Sequence, residues 1–497
     1  MDNLLTIIEL LEQGNVPSDS SDMKIYKDSF TNHDQVNLLM VKNDSEKLLL
    51  AAGHGSLFDE LEGTKIGEKG KACPLTHENR LVLNRYFDYT VPRAFGTKIA
   101  TIGLGDRLGL ASPGHIQTVK DRQIKPVLAQ QSIRELTLSE RTMTDMLDDA
   151  CFAVFQTGYK GGFGADGDHI KEESDIKYAL SLGVSMITLD CSDQIHKTIE
   201  EASAEEVQSE YEKLPESVQQ RYNNQYLNKK FDVNGLIIEF DKVSLMRNVL
   251  LYDEAITYTA HVYDEYISKE ERAIDFEVSI DETETITSPL SHFFVANELK
   301  QKNVEVVSLA PRFCGEFQKG IDYIGDKNQF EKELAEHAKI AEHFGYKLSI
   351  HSGSDKFSVY PIITKYTNGI FHVKTAGTNW LEAVRVIAEK NPDLYRKLHT
   401  FALENFKETL KYYYVTPNLD QITPLENMTD SQLSEYMNDD NARQLLHVTY
   451  GLLLTSKDEN DKYLFRDEIF ETLNKNEEAY NEALVKHIGK HVSKLGL

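Results

Sequence analysis

The chain has 497 residues, is 40% apolar and carries a formal net charge of −26, which leaves enough apolar material for a sizeable core and excludes global disorder. So acidic a surface repels phosphate backbones and anionic lipid, so neither nucleic acid nor membrane is an expected partner, while a local Arg/Lys cluster can still hold a small anion. Cys73, Cys151, Cys191 and Cys314 are widely spaced and form no CxxC pair, as suits reduced thiols; the N-terminus has no signal-peptide pattern and no apolar run approaches the ~18 residues of a membrane span, so the expected location is cytoplasmic.

The first stretch, residues 1–95, holds short strands (VNLLMV, KLLLAAG) and polar loops with few chemical groups, and reads as an N-terminal α/β cap region. From Lys98 onward strand and helix alternate, the pattern that builds a parallel sheet with helices outside. Short apolar runs at Lys98–Leu104, Pro126–Ala129, Gly162–Ala165, Val184–Leu189, Ile274–Ile280, Val304–Ala310, Tyr346–Ile350 and Ile370–Val373 supply eight strands. Between them, Ser288-Pro289 starts a helix with an N-cap and a proline at its first position. Phe330, Leu334, Ala338, Ala341 and Phe344 make a helical stripe that Gly345 ends, as Gly183 ends an earlier one.

Residues 194–270 are too long for one crossover and rich in Glu, Gln, Lys and Tyr; they read as a helical insertion, a lid or an oligomer contact. After Trp380 the pattern is helical to the end, closing in an amphipathic helix over Glu478–Leu497. The expectation is a (β/α)8 TIM-type barrel over 96–400, with the cap region before it, the insertion within it and a helical C-terminal extension over 401–497. A homo-oligomer would fit such a chain.

Most of the strands run into polar groups, which is what a barrel enzyme needs, since all C-terminal strand ends meet on one face. FGADGDH (Phe163–His169) puts Asp166, Asp168 and His169 on a glycine-loosened turn; a carboxylate beside an imidazole suits a metal-ligand pair or a base beside a ligand, and Asp caps of the next helix are the plainer alternative. Glu277 stands inside an apolar strand, where an ionised carboxylate has to be paired, metal-bound or protonated. Period-two alternation puts Glu277, Ser279 and Asp281 on one side, while Glu282 and Glu284 are expected in a solvated loop.

His351 ends a strand ahead of Ser-Gly-Ser, whose backbone N–H groups can meet an anion that Lys356 neutralises. His372 and Lys374 sit two apart and share a side. Three histidines at strand ends, with Glu277 near, point to a divalent-metal site. Arg107, Arg312 and Lys356 are candidate anion binders; Arg312 follows Pro311 at a strand end, where its guanidinium could grip a carboxylate bidentately, with a buried salt bridge as the alternative. Neither GxGxxG nor GxxxxGK[ST] occurs, so a nucleotide cofactor is not indicated.

The strings GDRLGLASPGH, LAQQSIRE, GFGADGDH, FEVSIDETET, HSGSDKFSVYP, FHVKTAGT and RQLLHVTYG, in this order from Gly96 onward, together resemble the tagaturonate/fructuronate epimerase family of hexuronate catabolism. The resemblance implies a metal-dependent isomerase that interconverts D-tagaturonate and D-fructuronate, with Asp168 as proton acceptor, Glu277 as proton donor and His169 as a ligand of a divalent cation (Zn, Mn, Ni or Fe). His351 and His372 are the further ligands, on strand-end position as well as on the resemblance, and Glu316 is a reserve. Arg312, Lys356 or Lys374 would hold the carboxylate of the sugar-acid substrate. The chemistry is either proton transfer by two carboxylates or metal-assisted retro-aldol cleavage. A metal-dependent aldose–ketose isomerase or aldolase on the same barrel has strongly overlapping residue needs, and a non-catalytic sugar-binding or scaffold barrel that keeps the fold is the alternative of a different class.

Overall fold

The computed structural model describes residues 2–20, 22–43, 46–281, 285–375 and 377–497; the expectation for Glu282 and Glu284 lies outside them. Contacts gather the chain into two compact units that interleave along the sequence: Met1–Pro92, Leu104–Ala165 and Ala376–Lys490 form one, and Arg93–Gly103, Asp166–Thr375 and His491–Leu497 the other.

In the first unit Lys24–His33, Val36–Lys42, Lys47–Gly53, Gly70–Pro74 and Thr64–Ile66 pair antiparallel in that order. Of the inner strands, Val36–Lys42 and Lys47–Gly53 are apolar almost throughout because both faces are covered. Leu38, Met40, Leu49 and Ala51 pack with Phe58, Leu83, Phe152 and Phe155. Leu39, Val41, Leu50 and Ala52 pack against Ile7, Ile8 and Leu11, the apolar face of the helix Asp2–Glu12. The C-terminal helices of this unit are built on the stripe of Leu381, Val384 and Ile387 in Asn379–Lys390. Trp380 in the same helix donates its indole N–H to the Leu446 carbonyl at 2.9 Å, which satisfies a buried polar edge.

Eight strands close a barrel: Thr101–Gly103, Lys125–Ser132, Gly164–Ile170, Met186–Asp190, Asp275–Ile280, Ser308–Pro311, Lys347–Ile350 and Phe371–Lys374. The expected (β/α)8 architecture is present, and the pairs Met186–Asp190/Asp275–Ile280 and Asp275–Ile280/Ser308–Pro311 run parallel in unbroken register. Helix signals read from the sequence operate as written. Ser288 accepts from the Ser291 N–H at the start of Pro289–Gln301, and Gly345 ends Lys327–Phe344 in the left-handed region, φ 82°, which glycine adopts without strain.

Two local expectations are corrected. FGADGDH is not a turn after a strand: Asp166, Asp168 and His169 lie within Gly164–Ile170, whose pairing with Met186–Asp190 slips between Gly167 and Ile170. Insertion 194–270 is not wholly helical. Beside the helices Ala204–Tyr211, Glu216–Tyr226 and Lys242–Val262 it carries an antiparallel hairpin, Lys230–Val233 with Leu236–Glu239. Asn234 and Gly235, at φ 52° and 80°, form its two-residue connection, the turn that Asn-Gly favours.

Candidate active site

Within the second unit the barrel interior is polar where such barrels are usually filled by branched apolar side chains. Asp275 and Glu277, two apart on one strand, both point inward. Asp275 accepts from the backbone N–H groups of Phe95 and Gly96, each at 2.8 Å. One layer higher, Glu277 is fully buried and both of its oxygens are engaged. Oε1 lies 2.7 Å from His351 Nε2 and 3.3 Å from the Thr188 hydroxyl, while Oε2 accepts from Ser308. The Thr188 hydroxyl also lies 2.8 Å from Asp166 Oδ2. In the same layer the Thr101 hydroxyl lies 2.8 Å from His372 Nδ1 and 3.2 Å from Lys347 Nζ.

At the strand ends, Lys374 and Asp168 form an ion pair through Oδ1, and Asp168, 1% exposed, has no hydrogen-bond partner at Oδ2. Neighbouring residues of a regular strand point to opposite faces. The register slip and the left-handed backbone of His169, φ 53°, break that alternation, so Asp168 reaches Lys374 and the His169 ring meets His351 edge-on at 4.9 Å between centroids. Gly167 allows the strand to come this close: a Cβ there would lie 2.6 Å from Ile170 Cδ1 and 2.9 Å from Ile187 Cδ1. His169 Nδ1 stands 3.6 Å from Asp190 and His351 Nδ1 3.2 Å from Asp281.

The field of this cluster is that of clustered anions. Burial alone would raise the Glu277 carboxyl, but the hydrogen bond and charge of His351, helped by His372 and Ser308, hold it well below the usual carboxylate range. Asp190 is likewise brought down to about 2 against its own burial by His169 and Ser192, and Asp281 is lowered by His351 and His169. His351 moves the other way. Burial opposes its charge, yet Asp281 and Glu277 raise it to about 10.

The expected site residues part company here. Asp168, His169, Glu277, His351, His372 and Lys374 are brought together in one cluster. Asp190 and Asp281, each the last residue of a strand or the first beyond it, join them, together with Thr101, Thr188, Ser308 and Lys347. The latter four carry no chemical signature of their own; Lys347, Ser349 and His351 do alternate along one strand, a period-two signal for an inward face. Lys356 is fully buried and its ammonium donates to the carbonyls of Gln318, Ile321 and Ser354 at 2.9, 2.6 and 2.9 Å, which makes it a loop staple. The Ser-Gly-Ser cradle is engaged as well: the Gly353 N–H donates to the Lys374 carbonyl and the Asp355 N–H to His491 Nε2. Arg107, in the first unit, is a buried structural cation, 2.6 Å from Glu135 and stacked on Tyr450 at 3.6 Å. Glu316 is exposed. Arg312 follows its strand half-buried, and among the described residues its guanidinium makes no ion pair.

Two imidazole nitrogens, His169 Nδ1 and His351 Nδ1, are buried without a hydrogen bond, and each has a carboxylate beside it. Nitrogen and oxygen donors of this kind fit a divalent cation. With His351 Nε2–H directed at Glu277, the ring has the carboxylate–histidine arrangement that orients a metal ligand. Among the described residues, no three ligand atoms drawn from His169, His351, His372, Asp190 and Asp281 all come within 4.8 Å of one another.

A family model described as tagaturonate epimerase matches residues 26–495. The chain belongs to the tagaturonate epimerase family. It is therefore an epimerase, of the isomerase class. A tagaturonate/fructuronate epimerase of Thermotoga maritima is 42% identical over 480 residues, 95% of this chain and 97% of its own. The crystal structures of the fructuronate-tagaturonate epimerase UxaE of Cohnella laeviribosi, native and complexed with one glycerol, superpose with a TM-score of 0.95 at 55% identity, covering 100% of both chains. Among the described residues no helix is long and apolar enough to cross a membrane.

Proposed function

We propose that this chain interconverts D-tagaturonate and D-fructuronate, with Asp168 and Glu277 as its acid/base pair. The observation that carries the assignment is the free Oδ2 of a buried Asp168 whose other oxygen is fixed by Lys374. A carboxylate held by one oxygen and open at the other is poised to take a proton. The relatives named for both sugars support the substrate.

The two sugars differ at the third carbon counted from the carboxylate, one bond beyond the position that the ketone acidifies. The hydroxyl of that carbon is the more acidic site. Asp168 Oδ2 takes the hydroxyl proton, the carbon–oxygen bond becomes a carbonyl, and the bond between the third and fourth carbons breaks. Its electron pair forms the double bond between the fourth and fifth carbons. The former ketone oxygen receives the proton shared between Glu277 Oε1 and His351 Nε2. The new aldehyde turns to offer its other face, and the same protons return as the bond re-forms. His169 and His351, with Asp190 and Asp281 beside them, would hold the divalent cation. When bound, that cation supplies Lewis-acid stabilisation of charge on the substrate oxygens. Arg312, whose guanidinium makes no ion pair among the described residues, would take the substrate carboxylate bidentately.

Purified protein with added Mn²⁺, Zn²⁺, Ni²⁺ or Fe²⁺ should convert tagaturonate to fructuronate, followed by NMR. In D₂O the carbon-bound hydrogen at the inverted centre should be retained. Deuterium at that carbon would replace cleavage by direct proton transfer between the carboxylates, and no conversion with any of the cations would overturn the function. Asp168→Asn and Glu277→Gln should each lower kcat by roughly 10²–10⁴-fold while remaining folded.

A further inference from the structure

Below the carboxylates a three-residue chain of hydrogen bonds sets the state of His372. Thr101 is paired with His372 across neighbouring strands, and its hydroxyl lies 2.8 Å from His372 Nδ1. Lys347 Nζ lies 3.2 Å from the same hydroxyl and 3.3 Å from the Ile99 carbonyl. The carbonyl can only accept, and a lysine ammonium can only donate. Burial lowers the Lys347 ammonium from its usual range, with Asp275 and Glu277 opposing that shift.

Thr101 has one hydrogen and two lone pairs. Lys347 takes up a lone pair, and among the described contacts His372 Nδ1 is the one acceptor for the hydrogen. Thr101 is 2% exposed, and a buried hydroxyl hydrogen without an acceptor is costly. The hydroxyl therefore donates and Nδ1 accepts. A neutral imidazole with Nδ1 accepting carries its proton on Nε2. Burial keeps the ring neutral, with its pKa brought down to about 3; Glu277 opposes that shift, and Lys347, His351 and Lys374 add to it.

We propose that His372 is not a metal ligand but a neutral Nε2–H donor facing the acid/base cluster, with Lys347 and Thr101 as positioning residues that fix its tautomer. A ring with Nδ1 accepting and Nε2 protonated has no lone pair left for a cation. The role in turnover rests on the epimerase reading; the tautomer does not.

Nitrogen-15 NMR of histidine-labelled, metal-free full-length protein tests the tautomer. The His372 resonances, assigned with His372→Gln and with Thr101→Val, which keeps the ring, should show an unprotonated Nδ1 and a protonated Nε2. The reverse pattern would overturn the proposal. Mn²⁺ titration of the same proteins separates ligand from positioning roles. His372→Gln and Thr101→Val should bind Mn²⁺ within about twofold of the parent, and His169→Gln should lose at least about tenfold. A tenfold loss in His372→Gln would make His372 a ligand after all. In turnover, Thr101→Val should lower kcat about tenfold at unchanged Mn²⁺ affinity, and Thr101→Ser should restore it. Equal kcat in all three overturns the positioning role. If the parent protein leaves tagaturonate unchanged, the epimerase reading fails while the NMR and Mn²⁺ results still decide this one.

Discussion

Replacing Lys374 by methionine tests whether Asp168 depends on a buried counter-charge. Lys374 and Asp168 are both buried and form an ion pair, and at about 3 Å and an effective dielectric near 20 two unit charges attract by about 5.5 kcal/mol. Methionine removes that attraction and also the cost of burying the ammonium, so the loss is smaller than the full Coulomb figure. What remains is an uncompensated buried carboxylate, expected to cost about 3–5 kcal/mol of stability. Asp168→Asn in the same chain removes the orphaned charge, so the double variant should recover most of the loss. Urea unfolding followed by tryptophan fluorescence and circular dichroism, with EDTA present so that no cation binding enters, gives the four stabilities of the cycle. The coupling between the two positions should exceed about 2 kcal/mol, near the top of what neighbouring groups show. A loss under about 1 kcal/mol in Lys374→Met, or strictly additive effects, would refute the buried-pair argument and with it the reason for Asp168 to present a single free oxygen.

Glu477 tests a second ion-pair cluster, in the first unit. It lies 2.9 Å from Lys47, 3.3 Å from Lys24 and 3.5 Å from Lys42; despite its burial, Lys47, Lys42 and Lys24 bring its carboxyl down to about 2 from 4.5. A depressed carboxyl adds stability above its unfolded pKa and loses it as pH falls towards the folded value. Glu477→Gln should therefore cost about 3 kcal/mol at pH 7 and only about half as much at pH 3; an equal loss at both would show that the lysines do not set its charge. Arg312→Met should raise KM for tagaturonate at least about tenfold with little change in kcat, as loss of uniform binding does. A fall in kcat at constant KM would move Arg312 from substrate holding to the chemical step.

The strand ends were legible because short apolar runs followed by polar residues are a local signal, and Ile274–Ile280 and Tyr346–Ile350 became strands within a residue or two of the expected bounds. FGADGDH was misread because Gly and Asp disfavour strands, and it is pairing with neighbouring barrel strands, Met186–Asp190 among them, that makes one of these residues. The Asn234-Gly235 turn was visible in sequence and masked by the helical composition around it. Lys356 shows the opposite limit: a lysine after Ser-Gly-Ser looks like an anion binder until the fold brings three carbonyls to it.

By itself the sequence determined the order of strands and helices, the acidic exterior, the family and the chemical types at the strand ends, since these follow from local periodicity and residue identity. Which of those groups meet was decided by barrel closure, which brings Thr101 onto His372 and Lys374 onto Asp168 from positions 271 and 206 residues apart. Charge state and proton position belong to that level too. Without a bound cation, Asp281 and Glu277 draw His351 towards its charged form, and His372 is a neutral ring beside Thr101, because burial and neighbours, not residue type, fix the proton.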